Sequence, residues 1–430
     1  MGKLNVQKAF FNFIKNPIIL TSIFCAIYIY SNQESIQSKR VFSSGLNRST
    51  IEVLQGTIVS NPVKQKNQYK VTFAPSTVWN KKGYSSSCKG TLTAFIPANF
   101  VEQWYPGKLF TDSKTAEKLK SDMKAPVENG CTATLYGTFS KKNDFFAVAV
   151  KTAPFKNSLP GKIHSLRAKC RLHFKRLMFA WGEAGGLLLA LISGSREYTN
   201  DELAESFKNA GLSHIMALSG MHLSLFSGIA GFLGKKTKNR KLSMLLRFSF
   251  ITLFVWFAGF SPSLFRAFLC SMLTLAASFS TAEQPKPLRI LACAYLIHIC
   301  LRPLDSFSPA FILSYGALSG IFVAGEFIQP VLSRNLPSEI SGNLASSIGA
   351  QFFTSPYTIS VFKVFVPSCT FATLIISPFV TVFMYLGIAC IFTALLIPFL
   401  TQPFSAIIGA VYGIIKILVV FFSKLPAVHL

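Results

Sequence analysis

Charge is scarce in this sequence. Only 14% of its 430 residues are Asp, Glu, Lys or Arg, where a soluble globular chain carries about 25%. Acid is scarcer still, with 17 Asp+Glu against 43 Lys+Arg and a formal net charge of +26. The nine cysteines form no CxxC pair, and the six histidines show no zinc-ligand spacing with them, so neither a zinc module nor a dithiol redox motif is indicated. No G-x-x-x-x-G-K-[ST] loop is present, which leaves no P-loop motor within the chain. What fills the gap is apolar: 50% of residues are hydrophobic and 42 are Phe. These shortages exclude an ordinary soluble enzyme and indicate a chain whose solvent is partly lipid. The basic excess indicates a polyanionic partner, lipid headgroups or nucleic acid, and charge alone does not separate the two.

Four stretches differ in character. In residues 1–44, Lys3, Lys8 and Lys15 precede the apolar run Pro17 to Tyr30. No small-x-small cleavage site follows. Counted with Phe10 to Phe13, the run approaches the ~20 residues of a spanning helix, so an uncleaved anchor with its N-terminus inside is expected; a cleaved signal peptide is the alternative. In residues 45–160, short alternating runs (Ile51–Val59, Tyr69–Phe73, Gly90–Ile96, Cys131–Phe139, Phe145–Val150) are separated by Gly, Pro, Asn and Lys clusters. About five strands in ~110 residues predict a small barrel of the OB type, with room for a short helix at Ser113–Leu119. Residues 161–184 contain six basic side chains and two His alternating with Ile163, Leu166, Leu172, Phe174, Leu177 and Met178. This spacing predicts a basic amphipathic helix on a membrane surface.

Residues 185–430 are mostly apolar. Thr199 or Asn200 caps a short helix with Asp201 and Glu202 in its first turn and Gly211 at its end. Candidate spans follow at 211–234, 242–260, 263–281, 288–303 and 307–331, with several more between 341 and 425. The loop KKTKNRK at 235–241 has five basic residues and no acid, which makes it cytoplasmic by the positive-inside rule. One span from an inside N-terminus then places the β domain outside the cytoplasm. There Cys88 and Cys131 meet an oxidising compartment, and a bridge between them would add roughly 3–5 kcal/mol in the chain-entropy model. The fold class read from the sequence is therefore a polytopic α-helical membrane protein with a small N-terminal all-β, OB-like extracytoplasmic domain.

Polar groups inside the apolar region carry the functional argument, because they are costly in lipid unless they face protein or a wet path. The stretch GLSHIMALSGMH, residues 211–222, brings two histidines and several small residues into one predicted span. His214 and His222 lie eight apart, near two helical turns, and would share a face. A Ser219–His nucleophilic pair lacks an orienting Asp and a G-x-S-x-G frame, a metal pair lacks a third ligand, and packing through small residues is the plainer reading. Arg266 would line a polyanion path, snorkel to headgroups, or pair with Asp305 or Glu326. Pro262, Pro309, Pro356, Pro367 and Pro378 interrupt apolar segments, either as kinks or as breaks lining a transport path. In the β domain, Trp79, Tyr84, Trp104 and Tyr105 are candidate base-stacking residues, and Phe73 belongs to the core.

Residues 185–228 (GGLLLALISGSREYTNDELAESFKNAGLSHIMALSGMHLSLFSG), with SPSLFRAFLC at 261–270, LRPLDSFSPAFILSYGALSG at 301–320 and IGAQFFTSPYTISVFKVFVPS at 348–368, resemble the ComEC competence family of inner-membrane DNA-uptake channels. The resemblance covers about residues 185–400. It implies a channel subunit, not an enzyme, that passes single-stranded DNA across the inner membrane during transformation while the other strand is degraded. Its motif positions fall on Gly211, His214, Ser219, Gly220, His222, Arg266, Pro303, Ser314 and Gly316. It implies membrane lipid and separate DNA-receptor, nuclease and cytoplasmic motor proteins as partners, is compatible with a homo-oligomer, and calls for no cofactor and no metal. Full-length members often carry a metallo-hydrolase-like domain. No H-x-H-x-D-H run occurs here, so no nuclease activity is expected, and one N-terminal span is expected where many relatives have two. A transporter of a small anion or lipid and an intramembrane hydrolase built on Ser219 and His222 are the rival readings.

Overall fold

A computed structural model describes residues 16–38, 42–105, 123–140, 143–236, 239–280, 286–397, 399, 401–425 and 428–429. The basic N-terminal residues Lys3, Lys8 and Lys15, and the expected helix at Ser113–Leu119, lie outside the described residues. The chain divides into two compact units. One holds residues 34–189 and 195–198; the other holds 1–33, 190–194 and 199–430.

The first unit is a closed barrel with added strands. Its elements are helix α2 (Gln33–Ser38, following α1 at Pro17–Ser31), then β1 (Ser43–Ser44), β2 (Ile51–Ile58), β3 (Val63–Gln65), β4 (Gln68–Asn80), β5 (Ser85–Lys89), β6 (Leu92–Pro97), α3 (Ala98–Glu102), β7 (Thr132–Phe139), β8 (Phe145–Thr152) and α4 (Leu159–Ala180). Strand β2 pairs with β4 and β7, β4 with β6, and β7 with β8, all antiparallel. The ring closes through a parallel β6–β8 pair, Ala94 opposite Phe145 and Phe95 opposite Phe146. This is the five-stranded OB arrangement expected from the alternating runs. Period-2 patterning explains the core. Leu54, Val71, Phe73, Leu135 and Phe145 point inward and are fully buried or nearly so, while their chain neighbours point out. The sequence breaks β4 at Ala74–Pro75, yet the strand runs through. Pro75 sits opposite Gly56 at a register shift, where a missing N–H is tolerated and the strand turns a barrel corner.

Helix α4 belongs to this barrel unit, not to a separate surface segment. Ser158 caps it by accepting the Gly161 N–H. Its burial is the reverse of the simple amphipathic expectation. Arg171 and Lys175 are each 1% exposed, while Leu159 and Leu166 are 74% and 57% exposed. The reason is a pair of carboxylates distant in sequence. Glu128 accepts from Arg171 Nε at 3.2 Å and from Lys175 Nζ at 3.1 Å. Lys175 also pairs with Glu197 at 2.9 Å and donates to the Tyr105 hydroxyl at 2.8 Å, and Arg171 donates to Ser195 Oγ at 2.8 Å. Gly130, at φ +90°, carries the turn after Glu128 beneath the helix, where an added Cβ would stand 2.3 Å from the His164 ring. Leu159, Ile163, Leu166 and Cys170 are left as an outward stripe at helical spacing, with Lys162 and Lys169 beside it.

In the second unit the elements are α1, part of α5 (Gly182–Ser193), α6 (Asp201–Asn209), α7 (Ser213–Met216), α8 (Gly220–Lys236), α9 (Arg240–Ala258), α10 (Pro262–Ser280), α11 (Pro287–Leu301), α12 (Pro309–Gly320), a π turn (Ile321–Gly325), α13 (Glu326–Leu332), α14 (Ser338–Phe362), β9 (Val364–Phe365), α15 (Cys369–Leu396), α16 (Thr401–Ser423) and β10 (Val428–His429). Asn200 caps α6 by accepting the Glu202 N–H. Among the described residues, four segments are long and apolar enough to cross a membrane: Arg240–Ala258, Pro309–Leu332, Cys369–Ala394 and Thr401–Ser423. Helix α1 has 15 residues, short of a full ~20-residue span.

Small residues set the closest helix crossings, as they do where lipid supplies no hydrophobic drive. Gly234 of α8 faces Ser243 of α9, and a Cβ there would stand 2.3 Å from its hydroxyl oxygen. Gly320 and Gly349 bring α12 and α14 together so closely that a Cβ on Gly349 would be 2.6 Å from the Gly320 carbonyl oxygen. Pro262 and Pro309 stand in the first turn of α10 and α12, where proline's missing N–H has no partner to lose. They start helices and do not break them. Pro356 and Pro378 lie inside α14 and α15.

Candidate functional site

The break that matters contains no proline. Between Met216 and Gly220 the backbone leaves the helix, and Ala217 is extended at φ −83°, ψ 138°. His214 and His222 therefore do not share one helix face. His214 is exposed on α7, its Nδ1 at 3.2 Å from the Gly211 carbonyl oxygen, and His222 is fully buried on α8. Gly211 stands at φ +74°, and the Cys369 side chain packs so near that an added Cβ would be 2.9 Å from it. Glycine satisfies both demands at once.

Ser219, Gly220 and His222 form the start of α8. His222 Nδ1 accepts the backbone N–H of Ser219 at 3.1 Å, and Ser219 Oγ lies 3.1 Å from the same nitrogen. A side chain three residues into a helix that reaches back to the N-cap N–H is a capping box, with His in the place of Glu or Gln. Because Nδ1 accepts, the ring proton resides on Nε2, which is buried and has no hydrogen-bond partner. No carboxylate orients this imidazole among the described residues. The pair acts as a helix cap, and a charge-relay triad is not assembled.

Arg266 is brought to this cap by α10. Ser263 Oγ donates to the Leu218 carbonyl oxygen at 2.7 Å, fastening the first turn of α10 to the break. Arg266 lies three residues on, hence on the same face. Its Nη2 stands 3.5 Å from the position of a Cβ on Gly220. Its Nη1 donates to the Ser314 carbonyl oxygen of α12. Neither expected acid meets it. Asp305 is held by His298 at 3.2 Å and lies 3.9 Å from Arg302, and Glu326 is exposed. His298, fully buried, also lies 3.2 Å from the Tyr315 hydroxyl, and Arg302 stacks over Phe260 and Phe265. Pro303 opens the 3-10 turn Pro303–Phe307. Gly316 faces Thr354 and the Phe353 carbonyl of α14 at ordinary contact distance. The structure thus joins Ser219, Gly220, His222, Arg266 and Ser314, and leaves His214, Pro303 and Gly316 apart from them.

On the barrel, the aromatic expectations divide. Tyr84 is 66% exposed in the β4–β5 turn. Trp79 is half-buried on β4, and Trp104 is half-buried with its indole N–H buried and unpartnered. Tyr105 is 9% exposed and accepts from Lys175, so it is structural and not available for stacking; burial holds its hydroxyl well above the usual tyrosine range, aided by Glu197 and Glu128. The Cys88–Cys131 bridge is not formed, and both are free thiols. Cys88 lies on β5 and Cys131 precedes β7, with β4 and β2 between them in the sheet order. At ~4.8 Å per strand, that is about 14 Å along the sheet, twice the Cα reach of a disulfide. Burial pushes the Cys131 thiol up to about 12.

An aromatic patch that the sequence reading did not single out lies on the outward face of the closing strands. Phe95 and Phe146 stack at 4.8 Å between centroids and 10° between planes. Lys70, exposed on β4, sits opposite Phe95 in register, and Val148 is exposed two residues beyond Phe146. The signal was present in the doublet Phe145–Phe146: in a strand buried on one face, one of two adjacent phenylalanines must point out.

The family model described as "Competence protein" matches residues 191–430. That is more than half of the sequence. The chain belongs to the competence protein family. ComE operon protein 3 of Bacillus subtilis (strain 168) is 25% identical over 150 residues, which are 35% of this chain and 19% of that protein. The aligned segment thus spans about a fifth of the length of that curated relative. No solved structure gives a significant match. The residues matched to the competence family contain the broken helix, its His222 cap and Arg266, while the barrel lies outside them.

Proposed function

We propose that this competence protein is a membrane component of DNA uptake in natural transformation, in which the barrel gathers DNA and the helical unit passes one strand inward. The observation that carries the reading is the outward-facing Phe95–Phe146 stack, Phe95 half-buried and Phe146 exposed, beside Lys70 on an OB-type barrel, in a chain whose remainder matches the competence family. Aromatic faces stack bases, and lysines on the same surface hold the phosphates. The KKTKNRK loop would be cytoplasmic by the positive-inside rule and the barrel extracytoplasmic, and the outward stripe of α4 with Lys162 and Lys169 would rest on lipid headgroups. A separate receptor, nuclease and motor would complete the pathway. The hydrolase reading loses its support where Ser219 and His222 cap a helix.

The test is DNase-resistant uptake of labelled single- and double-stranded DNA in a transformable host with the gene deleted and restored. Restoration with the native gene should recover uptake. A Phe95→Ala/Phe146→Ala double variant should bind single strands about fivefold or more weakly, since each stacked base contributes about 1–3 kcal/mol. Binding should weaken linearly in log affinity against log salt. Undiminished uptake after deletion sinks the proposal, and undiminished single-strand binding in the double variant moves the contact elsewhere on the barrel.

A further inference from the structure

We infer that the start of α8 and Arg266 together form a binding site for one phosphodiester anion, and, resting on the DNA-uptake reading, that the anion is a backbone phosphate of the strand in passage. Two positive features meet here. The first-turn N–H groups of α8, a 17-residue helix, have no intrahelical partner, and the positive end of the helix dipole lies there. Against it lies a guanidinium that is 7% exposed. Like charges buried side by side are costly unless an anion joins them. Among the described residues Arg266 makes no ion pair, and of its nitrogens only Nη1 has a partner, the Ser314 carbonyl. Its Nε is buried and unsatisfied, and so is Nε2–H of His222, 0% exposed. Native interiors leave few such donors, and here one belongs to the third residue of α8 and the other to the arginine packed against its start.

Gly220 fits the same account. Its position would admit a Cβ at 3.5 Å from Arg266 Nη2 and 3.8 Å from Ala267. A side chain is sterically allowed at this point, so packing does not require glycine. An oxygen approaching the first N–H of α8 does benefit from it, as a Cβ would occupy its path. A phosphodiester offers two oxygens to a guanidinium fork and one charge to the helix end. Both DNA and phospholipid carry that group, so the test separates them.

The full chain is purified into phospholipid nanodiscs and, in parallel, into a phosphate-free alkyl glucoside. Binding is read by fluorescence anisotropy with a labelled single-stranded oligonucleotide and with the same sequence carrying uncharged methylphosphonate linkages. Wild type should prefer the phosphodiester probe in both media. Arg266→Gln should lose about tenfold or more for that probe, through the loss of its charge-assisted hydrogen bonds, and little for the methylphosphonate. Gly220→Ala keeps the arginine and meets only ordinary contacts, so it should retain the native melting temperature while weakening the phosphodiester probe. If both variants bind both probes as wild type does, the DNA assignment falls. If in addition Arg266→Gln abolishes a melting-temperature gain of wild type in phospholipid over glucoside, the anion is a lipid headgroup; without such a gain the site itself is refuted. Wild type that binds neither probe refutes the DNA-uptake reading, and the lipid comparison then decides the site alone.

Discussion

At Glu128 burial and charge pull in opposite directions. Burial alone would push its carboxyl up, but Arg171, Lys175 and Arg167 outweigh it and hold it at about 2. Burial also lowers Arg167, to about 10, with Arg171 adding to the shift, so the cations crowd each other and depend on the carboxylate. An unfolded glutamate titrates near 4.5. The folded value lies below it, so this contribution to stability is complete above about pH 4.5 and is lost as pH falls toward 2. Melting temperature measured across that window should fall less steeply for Glu128→Gln than for wild type. Near neutral pH, Glu128→Leu removes the buried carboxylate that Arg171 and Lys175 share, and about 3–5 kcal/mol of stability should be lost. The residue-level logic of this cluster was hidden in the sequence. Six basic residues between 162 and 176 look like a solvated or lipid-facing stripe until Glu128 and Glu197 are placed beneath them.

Element boundaries were far more legible, because apolar run length and local caps decide them. The predicted spans 242–260, 263–281 and 288–303 became helices at Arg240–Ala258, Pro262–Ser280 and Pro287–Leu301, the first long and apolar enough to cross a membrane and the other two shorter apolar helices. The runs Ile51–Val59 and Cys131–Phe139 became Ile51–Ile58 and Thr132–Phe139. The miss was the break at 217–219, within a run predicted as one span. Nothing in MALSG forbids a helix; the Ser219–His222 cap and the Ser263 bond to Leu218 end one helix and start another. The tight crossing of α12 and α14 was equally unreadable, since a glycine announces permission for contact but not its partner. It makes a sharp prediction. Gly349→Val drives a methyl-bearing Cβ into the Gly320 carbonyl and should lower the melting temperature strongly. Gly409→Ala, with nothing within 4 Å of the added atom, should leave it unchanged or slightly raised.

For the whole molecule, composition alone separated a lipid-solvated helical part from an alternating β part, and the motifs from Gly211 onward carried the family. Residues 34–189 and 195–198 group as one compact unit, in which α4 supplies the cations that pair with Glu128. A fragment of residues 45–160 should therefore melt lower than one of residues 45–198, and thermal unfolding followed by tryptophan fluorescence will compare them. Equal stability would mean the buried ion pairs contribute nothing net. The closing seam of the barrel has a mechanical consequence. Strands β6 and β8 are joined through just two register pairs, Ala94–Phe145 and Phe95–Phe146, where β4 and β6 share six. A polymer stacked on Phe95 and Phe146 while being drawn away would load that short seam directly. Tension would be borne where the ring has the fewest rungs, so the grip on the strand would give way by the barrel parting there before the better-paired strands yield.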